Sequence, residues 1–98
     1  MDYQVTFSSE ARSDLRDTID YISLDSPLAS ERFLILLVVK ANKLCKHPWI
    51  GRIVPDFRHP HIREIIVGSY RVIYEVNECE QRVEILRFWH AARGTPEL

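Results

Sequence analysis

Three short runs rich in β-branched residues lie in the second half of the chain, and they restrict its fold more than any other feature. The runs are Ile62–Val67, Tyr70–Asn77 and residues 82–89. Gly68-Ser69 and residues 78–81 separate them, and connections of two and four residues are typical of β-hairpins. Strands joined this closely pair antiparallel. The sequence therefore predicts a three-stranded antiparallel meander.

The first half of the chain predicts one strand and two helices. Residues 3–7 alternate apolar and polar side chains, which is the two-residue period of a half-buried strand. Ser8 or Ser9 can cap the helix that follows, whose apolar residues recur every three or four positions. Pro27 suits the first turn of a second helix, which we expect to end near Lys46.

Residues 47–60 are predicted to form an ordered surface loop, because three prolines and a glycine interrupt any regular pattern there. The predicted order of elements is therefore β-α-α-β-β-β. The economical arrangement is an α+β fold with a mainly antiparallel sheet and two helices packed on one face. We expect residues 1–98 to form a single domain, because a chain of 98 residues can close only one core.

The middle of the second helix is unusually apolar, since residues 33–39 are seven consecutive apolar side chains. A buried strand is an alternative, but the periodic flanks and the length of the segment favour a helix. A helix that is apolar nearly all round has more apolar surface than one sheet can cover. Either the first helix covers the excess, or Leu34, Ile35 and Val38 are partly exposed and bind a partner or a second copy.

Composition excludes several classes of function. Thirteen Lys and Arg residues oppose fourteen Asp and Glu residues, so the net charge of -1 lacks the broad positive field of many nucleic-acid binders. An apolar run of seven residues is far short of the roughly 20 that cross a bilayer. The first residues carry neither the basic nor the apolar region of an export signal, so we expect a cytoplasmic protein without a membrane span.

Cofactor and metal chemistry also have little support in the sequence. Three glycines form no phosphate-binding loop, and we expect no cofactor. The two cysteines lack a C-x-x-C spacing and are expected to be free thiols. No standard zinc spacing relates the cysteines to the nearby histidines, so we expect no bound metal. These residues are Cys45, Cys79, His47, His59 and His61.

The cations of the second half are all arginines, seven of them after Gly51. Arginine presents a planar fork of donors that matches carboxylates and phosphates. Arg63 and Arg71 lie on adjacent predicted strands among apolar neighbours, where a cation is costly unless it meets an anion. Each is therefore paired with an internal carboxylate, for which Glu64 and Glu75 are available, or is directed at a ligand.

His90 and Arg93 follow the last predicted strand. A short turn would direct both back over the sheet edge that carries Arg63 and Arg71. A histidine beside arginines is suited to proton transfer in phosphodiester cleavage, in which the arginines stabilise the developing charge. The alternative is a histidine that caps backbone carbonyls at the strand end. The residues themselves favour this structural role, because no acid-base pair occurs at a fixed local spacing.

A series of short motifs runs in order through nearly the whole chain. They are Ala11 with Asp14-Leu15 and Tyr21-Ile22, Ser26-Pro27-x-Ala29 with Arg32-Phe33, Pro48-x-x-Gly51-Arg52-x-x-Pro55, Ile62-Arg63-Glu64, Tyr70-Arg71-Val72-Ile73-Tyr74, Val83-x-Ile85-Leu86 and His90-x-x-Arg93. In order and spacing, over about nine tenths of the length, they resemble toxins of the RelE/ParE superfamily of type II toxin-antitoxin systems. The resemblance is to the ParE, or plasmid stabilisation, branch.

This resemblance implies a toxin that a cognate antitoxin neutralises by wrapping around it. The apolar surplus of the second helix would then have a partner, and a higher-order toxin-antitoxin assembly would use the same surface. We expect the antitoxin to need carboxylates as well as apolar side chains. The predicted antitoxin-binding residues are Leu34, Ile35, Val38, Arg63 and Arg71.

The two branches of the superfamily imply different targets. RelE-like toxins cut mRNA in the ribosome, whereas ParE-like toxins poison DNA gyrase and do not cut nucleic acid themselves. RelE-like toxins are usually strongly basic, and a net charge of -1 has little of the counterion-release energy that binding ribosomal RNA uses. The gyrase interpretation is therefore favoured, with target contact from Arg87, Phe88, Trp89, His90 and Arg93. For the ribonuclease alternative, the resemblance assigns catalytic roles to Arg63, Arg71, His90 and Arg93.

Overall fold

A five-stranded sheet carries two helices on one of its faces. The computed structural model describes residues 2–98. Strand order is β1-β5-β4-β3-β2, with β1 parallel to β5 and the other neighbours antiparallel, so the predicted fold class is confirmed. The elements are β1 (Gln4–Phe7), α1 (Ser9–Asp25), α2 (Pro27–Lys46), β2 (Arg52–Ile53), β3 (Ile62–Val67), β4 (Tyr70–Asn77), β5 (Arg82–His90) and a 3-10 turn (Ala91–Arg93).

Three details differ from the sequence prediction, and the smallest is that β1 begins at Gln4, one residue after the predicted start. The loop after α2 contains the short strand β2, in which Arg52 pairs with Glu64 and Ile53 pairs with Arg63. Two residues are too few to show a period, and a glycine and a proline nearby conceal the strand. β5 also continues to His90, one residue beyond the predicted end.

Both helices begin at the serine caps that their sequences provide. The Ser8 hydroxyl accepts a hydrogen bond from the Ala11 amide at 3.0 Å, and the Ser26 hydroxyl accepts one from the Ala29 amide at 3.1 Å. Pro27 lies in the first turn of α2, where its missing N–H has no helical partner to lose. A single residue therefore separates two antiparallel helices.

The main core lies between the helices and the sheet. Leu37 and Leu44 of α2 pack with buried side chains of β4 and β5 such as Tyr74 and Ile85. A second cluster lies on the opposite face. There the loop after β2 covers the sheet, with Val54 and Phe57 packed on Ile73, Trp89 and Ile62. The loop therefore takes the place of a second helical layer.

β5 contains one residue more than β4 opposite it. Ile73 pairs with Arg87 and Tyr74 pairs with Ile85, so Leu86 has no partner in β4 and forms a β-bulge. The Leu86 carbonyl accepts a hydrogen bond from the Ser8 hydroxyl at 2.8 Å. The residue that caps α1 thus also provides a hydrogen-bond donor for a backbone carbonyl of the bulge.

α2 keeps much of its apolar run exposed. Leu34, Ile35 and Val38 are all exposed, so α1 does not cover the surplus. Ile35 is 56% exposed, which is large for an isoleucine in a helix of a folded domain. Within residues 2–98, no helix is both long and apolar enough to span a bilayer.

Candidate functional site

The predicted cluster of Arg63, Arg71, His90 and Arg93 does not form. Arg71 faces the side of the sheet that the loop covers, where its guanidinium donates to Glu64 Oε1 and to Asp56 Oδ1, both at 2.6 Å. The Arg71 side chain is 13% exposed. It is therefore paired internally, and only one of the two carboxylates expected as partners, Glu64, takes part.

Glu64 is the centre of this ion-pair network. Its side chain has no exposed area, and it also accepts a hydrogen bond from Arg52 Nε at 2.7 Å. Two cations thus compensate one buried carboxylate, as burial requires. The hydrogen bond to Glu64 raises the pKa of Arg71, which keeps this guanidinium charged and bound.

The Asp56–Arg71 pair should make stability depend on pH. The hydrogen bond from Arg71 lowers the pKa of Asp56 below its ordinary value of 3.8. A carboxyl with a lowered folded-state pKa stabilises the fold above its unfolded-state pKa and loses that contribution as the pH falls through the folded-state pKa. We expect the free energy of unfolding to fall below about pH 4, and to fall less steeply in Asp56→Asn. Urea unfolding from pH 2.5 to 7 measures both slopes.

The control for this prediction is Asp25→Asn, an exposed carboxylate at the end of α1. This variant should keep the slope of the unmodified protein. Equal slopes in Asp56→Asn and Asp25→Asn would show that the pair does not contribute.

Arg63 binds backbone carbonyls and an indole ring instead of a carboxylate. Its guanidinium lies 4.9 Å from the centre of the Trp49 ring. It donates to the carbonyls of Gly51 at 3.0 Å, Pro60 at 3.2 Å and Trp49 at 3.3 Å. Arg63 therefore ties the loop to β3, far from the surroundings of His90.

His90 and Arg93 line a cleft of about 160 Å³ between α1 and the ends of β4 and β5. The cleft combines two carboxylates, two phenols, a hydroxyl, an imidazole and a guanidinium. The lining residues are Asp14, Asp17, Thr18, Tyr21, Tyr70, Phe88, His90 and Arg93.

A hydrogen bond from the backbone indicates which nitrogen of the neutral His90 ring carries the proton. The Ala92 amide donates to Nδ1 at 3.1 Å, and the ring stands edge-on to Tyr70 at 5.0 Å. A neutral imidazole whose Nδ1 accepts a hydrogen bond carries its proton on Nε2. His90 thus caps an amide, so the expected capping of carbonyls is wrong, and its second nitrogen is a donor.

Arg93 stacks on Trp89, with the guanidinium carbon 3.8 Å from the ring centre. Stacking occupies the face of the guanidinium and leaves the N–H groups at its edge. In the part of the chain that the structure describes, no oxygen accepts a hydrogen bond from this guanidinium. Arg93 is therefore the cation of the cleft that is ready to bind an external anion.

The predicted target-binding patch is smaller than expected. Phe88 is 5% exposed and Trp89 is 2% exposed, so neither presents an exposed ring to a partner. Arg87 donates to Asp14 at 2.7 and 2.9 Å and to the Glu97 carbonyl at 2.9 Å. The expectation of an exposed basic-aromatic patch is therefore wrong for Arg87, Phe88 and Trp89, which support the cleft from behind.

The sequence prediction missed the α1 side of the cleft. Asp14, Asp17, Thr18 and Tyr21 are spaced by three, one and three residues, which places them on one helical face. The polar face of α1 was visible in the sequence, but nothing in the spacing showed that it meets His90. Tyr70, which follows the Gly68-Ser69 turn, was assigned only to a strand.

Cys45 and Cys79 are both unpaired thiols. Burial raises the pKa of the Cys45 thiol, which makes it less reactive. Across residues 2–98, no three His, Cys, Asp or Glu side chains are grouped to hold a metal ion.

The chain is similar in sequence to known toxins. Residues 5–94 match the family described as ParE toxin of type II toxin-antitoxin system, parDE. Toxin RelE2 of Caulobacter vibrioides is 35% identical over 91 residues, which are 92% of this chain and 97% of that protein.

Solved structures of toxin-antitoxin complexes share the fold. The RelBE2 complex of Mycobacterium tuberculosis contains a chain that is 27% identical, with a TM-score of 0.67 over 92% of this chain and 99% of that one. The ParDE system of P. aeruginosa gives a TM-score of 0.72 at 19% identity, over 90% of this chain and 95% of that one.

Proposed function

This chain belongs to the ParE toxin family of type II toxin-antitoxin systems, and we propose that it arrests growth by binding DNA gyrase and does not cut mRNA. The observation that carries this proposal is the state of His90. A general base needs a free lone pair directed at the substrate. The Nδ1 lone pair of His90 is bound to the Ala92 amide, and Nε2 carries the proton.

The arginines support the same conclusion. Cleavage of a phosphodiester needs cations gathered around one phosphate. Arg71 is paired with two carboxylates and Arg63 is bound to carbonyls and Trp49. This leaves Arg93 in the cleft with His90, beside Asp17, whose carboxylate disfavours a phosphate, and Asp14, which is paired with Arg87. The net charge of -1 adds no compensating attraction for ribosomal RNA.

The cleft fits an acidic side chain on a protein surface. Arg93 and the Nε2–H of His90 are donors for a carboxylate, and Tyr21 and Tyr70 provide aromatic walls with polar ends. Asp17 would reject the dense negative charge of nucleic acid while tolerating one carboxylate paired with Arg93. We therefore assign target contact to His90 and Arg93, with Arg87, Phe88 and Trp89 holding them in place.

The antitoxin is assigned to the apolar surface of the helices. Leu34, Ile35 and Val38 are exposed on α2. Leu34 also lines an apolar groove of about 430 Å³ with Phe7 and Leu15. A partner helix or extended segment would bury this surface. Arg71 is paired internally and Arg63 binds its own loop, so we expect neither side chain to contact the antitoxin directly. Both would instead hold the sheet and the loop in place.

The test of target identity is induction of the chain in cells that lack the antitoxin. We expect broken chromosomal DNA, a DNA damage response and intact mRNA. The informative variant is His90→Asn, whose side-chain oxygen can still accept from the Ala92 amide but cannot act as a base. Toxicity should survive His90→Asn and should fall at least tenfold in Arg93→Ala, measured as colony survival after induction.

The control is Arg82→Ala, which removes an exposed arginine that pairs with Glu80 and does not line the cleft. It should remain as toxic as the unmodified chain. Fragmented mRNA with intact DNA, together with loss of toxicity in His90→Asn, would favour a ribosome-dependent endonuclease instead. The 35% identity with a relative named RelE2 makes the mRNA measurement necessary. Toxicity with neither kind of damage would also contradict the gyrase proposal.

A further inference from the structure

Two opposite charges line the cleft beside His90, and the chain itself neutralises neither of them. On one wall, the guanidinium of Arg93 is stacked on Trp89 and donates to no oxygen of residues 2–98. On the α1 wall, Asp17 is exposed, and within the described chain its carboxylate forms no ion pair. No Asp17 oxygen lies within 4.0 Å of an Arg93 nitrogen, although both residues line the cleft. The cleft therefore presents a cation and an anion that do not bind each other.

The second carboxylate of the cleft, Asp14, is in a different state. Its oxygens accept two hydrogen bonds from Arg87 and one from the Phe88 amide. The Asp14 side chain is also only 12% exposed. Its charge is therefore compensated inside the fold, and Asp17 is the carboxylate of this cleft that is available to a ligand.

The surroundings of Asp17 suit a cationic side chain. Tyr21 lies one helical turn after Asp17 on the same face of α1, and it is 69% exposed. A carboxylate attracts an ammonium or guanidinium group by charge, and the face of a phenol ring attracts the same group through its quadrupole. The other wall has the opposite preference, because Arg93 and the Nε2–H of His90 are donors for a carboxylate.

From this juxtaposition we infer that the cleft binds two oppositely charged side chains of the gyrase surface at once. A carboxylate of the target lies against Arg93 and His90, and a lysine or arginine of the target lies against Asp17 and Tyr21. The inference rests on the proposed function and extends it, because Asp17 becomes a residue that selects the target and does not merely tolerate it.

Desolvation decides between this occupant and simpler ones. A target surface that closes over the cleft excludes water from both charges, and a charge that loses water without gaining a partner is costly. A lone carboxylate would compensate Arg93 but would bring a second negative charge to Asp17. A phosphate would increase that repulsion, and a lone cation would leave Arg93 without a partner. Only an occupant with both charges compensates both walls.

The experiment is the sign of the change in affinity when Asp17 becomes asparagine. Asp17→Asn keeps the size of the side chain and removes its charge. Repulsion would be relieved if the occupant were a lone carboxylate, and binding would become tighter. We expect the opposite result, which is binding about tenfold weaker than that of the unmodified chain. The probe is gyrase purified from the same organism, titrated with the full chain in a calorimeter. Unchanged or tighter binding would overturn the inference.

The control is Asp25→Asn, which removes another exposed carboxylate of α1 that does not line the cleft. It should change the affinity less than about threefold, so a general effect of net charge would be recognised. Thermal unfolding of each variant establishes that it is folded. Equal weakening in Asp17→Asn and Asp25→Asn would overturn a specific contact at Asp17.

The ring of Tyr21 provides a second readout. Tyr21→Phe keeps an aromatic face for the cation and should bind gyrase as the unmodified chain does. Tyr21→Leu removes that face and should bind at least about threefold more weakly. Equal affinities of the two variants would overturn the position of the cation against this ring.

Arg93→Gln separates this inference from the proposed function. If the unmodified chain does not bind gyrase, both fall together. If Arg93→Gln binds at least tenfold more weakly while Asp17→Asn does not, the inference alone is overturned and the proposed function stands. Weakening in Asp17→Asn without weakening in Arg93→Gln would also overturn the paired occupant.

Discussion

Asp14→Ala is expected to lower the free energy of unfolding by about 3 kcal/mol, as removal of one partner from a buried ion pair does. Asp14 receives two hydrogen bonds from Arg87 and one from the Phe88 amide at 3.1 Å. The two side chains are only 12% and 15% exposed. Hydrogen bonding to Asp14 raises the pKa of Arg87. Arginine is charged at neutral pH even without such a partner, so Asp14→Ala would leave the Arg87 charge uncompensated. Urea unfolding at pH 7 measures the loss.

Two further variants separate charge from hydrogen bonding at this position. Asp14→Asn keeps an acceptor for the Phe88 amide but removes the charge, so we expect roughly half the loss. Asp17→Ala removes a carboxylate from the same helical face and should change stability by about 0.5 kcal/mol or less. Equal losses in Asp14→Ala and Asp17→Ala would show that the bond between α1 and β5 is unimportant.

Gly51→Ala is expected to cost about 3 kcal/mol, at the upper end of overpacking effects. A Cβ atom at residue 51 would lie 2.5 Å from the Tyr74 hydroxyl and 2.5 Å from the Glu64 carbonyl oxygen. The carbonyl belongs to β3 and cannot move without disturbing the sheet. The Gly51 amide also donates to the buried Tyr74 hydroxyl at 2.9 Å, a contact that the displacement would break. Thermal and urea unfolding measure the cost.

The matched control is Gly68→Ala. Gly68 has a φ of 58°, and the nearest atom that a Cβ there would meet is Phe33 Cε2 at 3.8 Å, an ordinary van der Waals distance. Its substitution should cost only the roughly 1 to 2 kcal/mol of left-handed backbone conformation. Tyr74→Phe combined with Gly51→Ala should recover part of the loss, because one of the two clashes disappears. A cost for Gly51→Ala no greater than that for Gly68→Ala would contradict the steric explanation.

Periodicity was sufficient to predict most of the fold. The bounds of α2, β3 and β4 agree with the prediction because each has a long repeating pattern, or a sharp signal at its ends such as Pro27 or Gly68. β2 could not be predicted in the same way. Its two residues pair with Arg63 and Glu64 of β3, and that pairing between distant segments depends on tertiary structure.

The candidate site was harder to predict than the fold. Glu64 could be proposed as a partner of Arg71 because the two lie on adjacent strands. Asp56 could not, because a loop brings it there. His90 and Asp17 line the same cleft because of how α1 crosses the end of the sheet, and no local sequence pattern specifies that crossing.

The bulge at Leu86 determines which face of the sheet each later residue of β5 points to. Side chains alternate along a strand, so one unpaired residue exchanges the two faces for everything that follows. With the extra residue, Phe88 enters the core, Trp89 lies beneath the loop and His90 reaches the cleft. A chain that lacked this one residue would keep the rest of the β5 sequence but would present His90 on the opposite face of the sheet. The number of residues in β5 should therefore be under stronger evolutionary constraint than the identity of residue 86. An insertion or deletion there would move all the later side chains of β5, including His90, to the opposite face together.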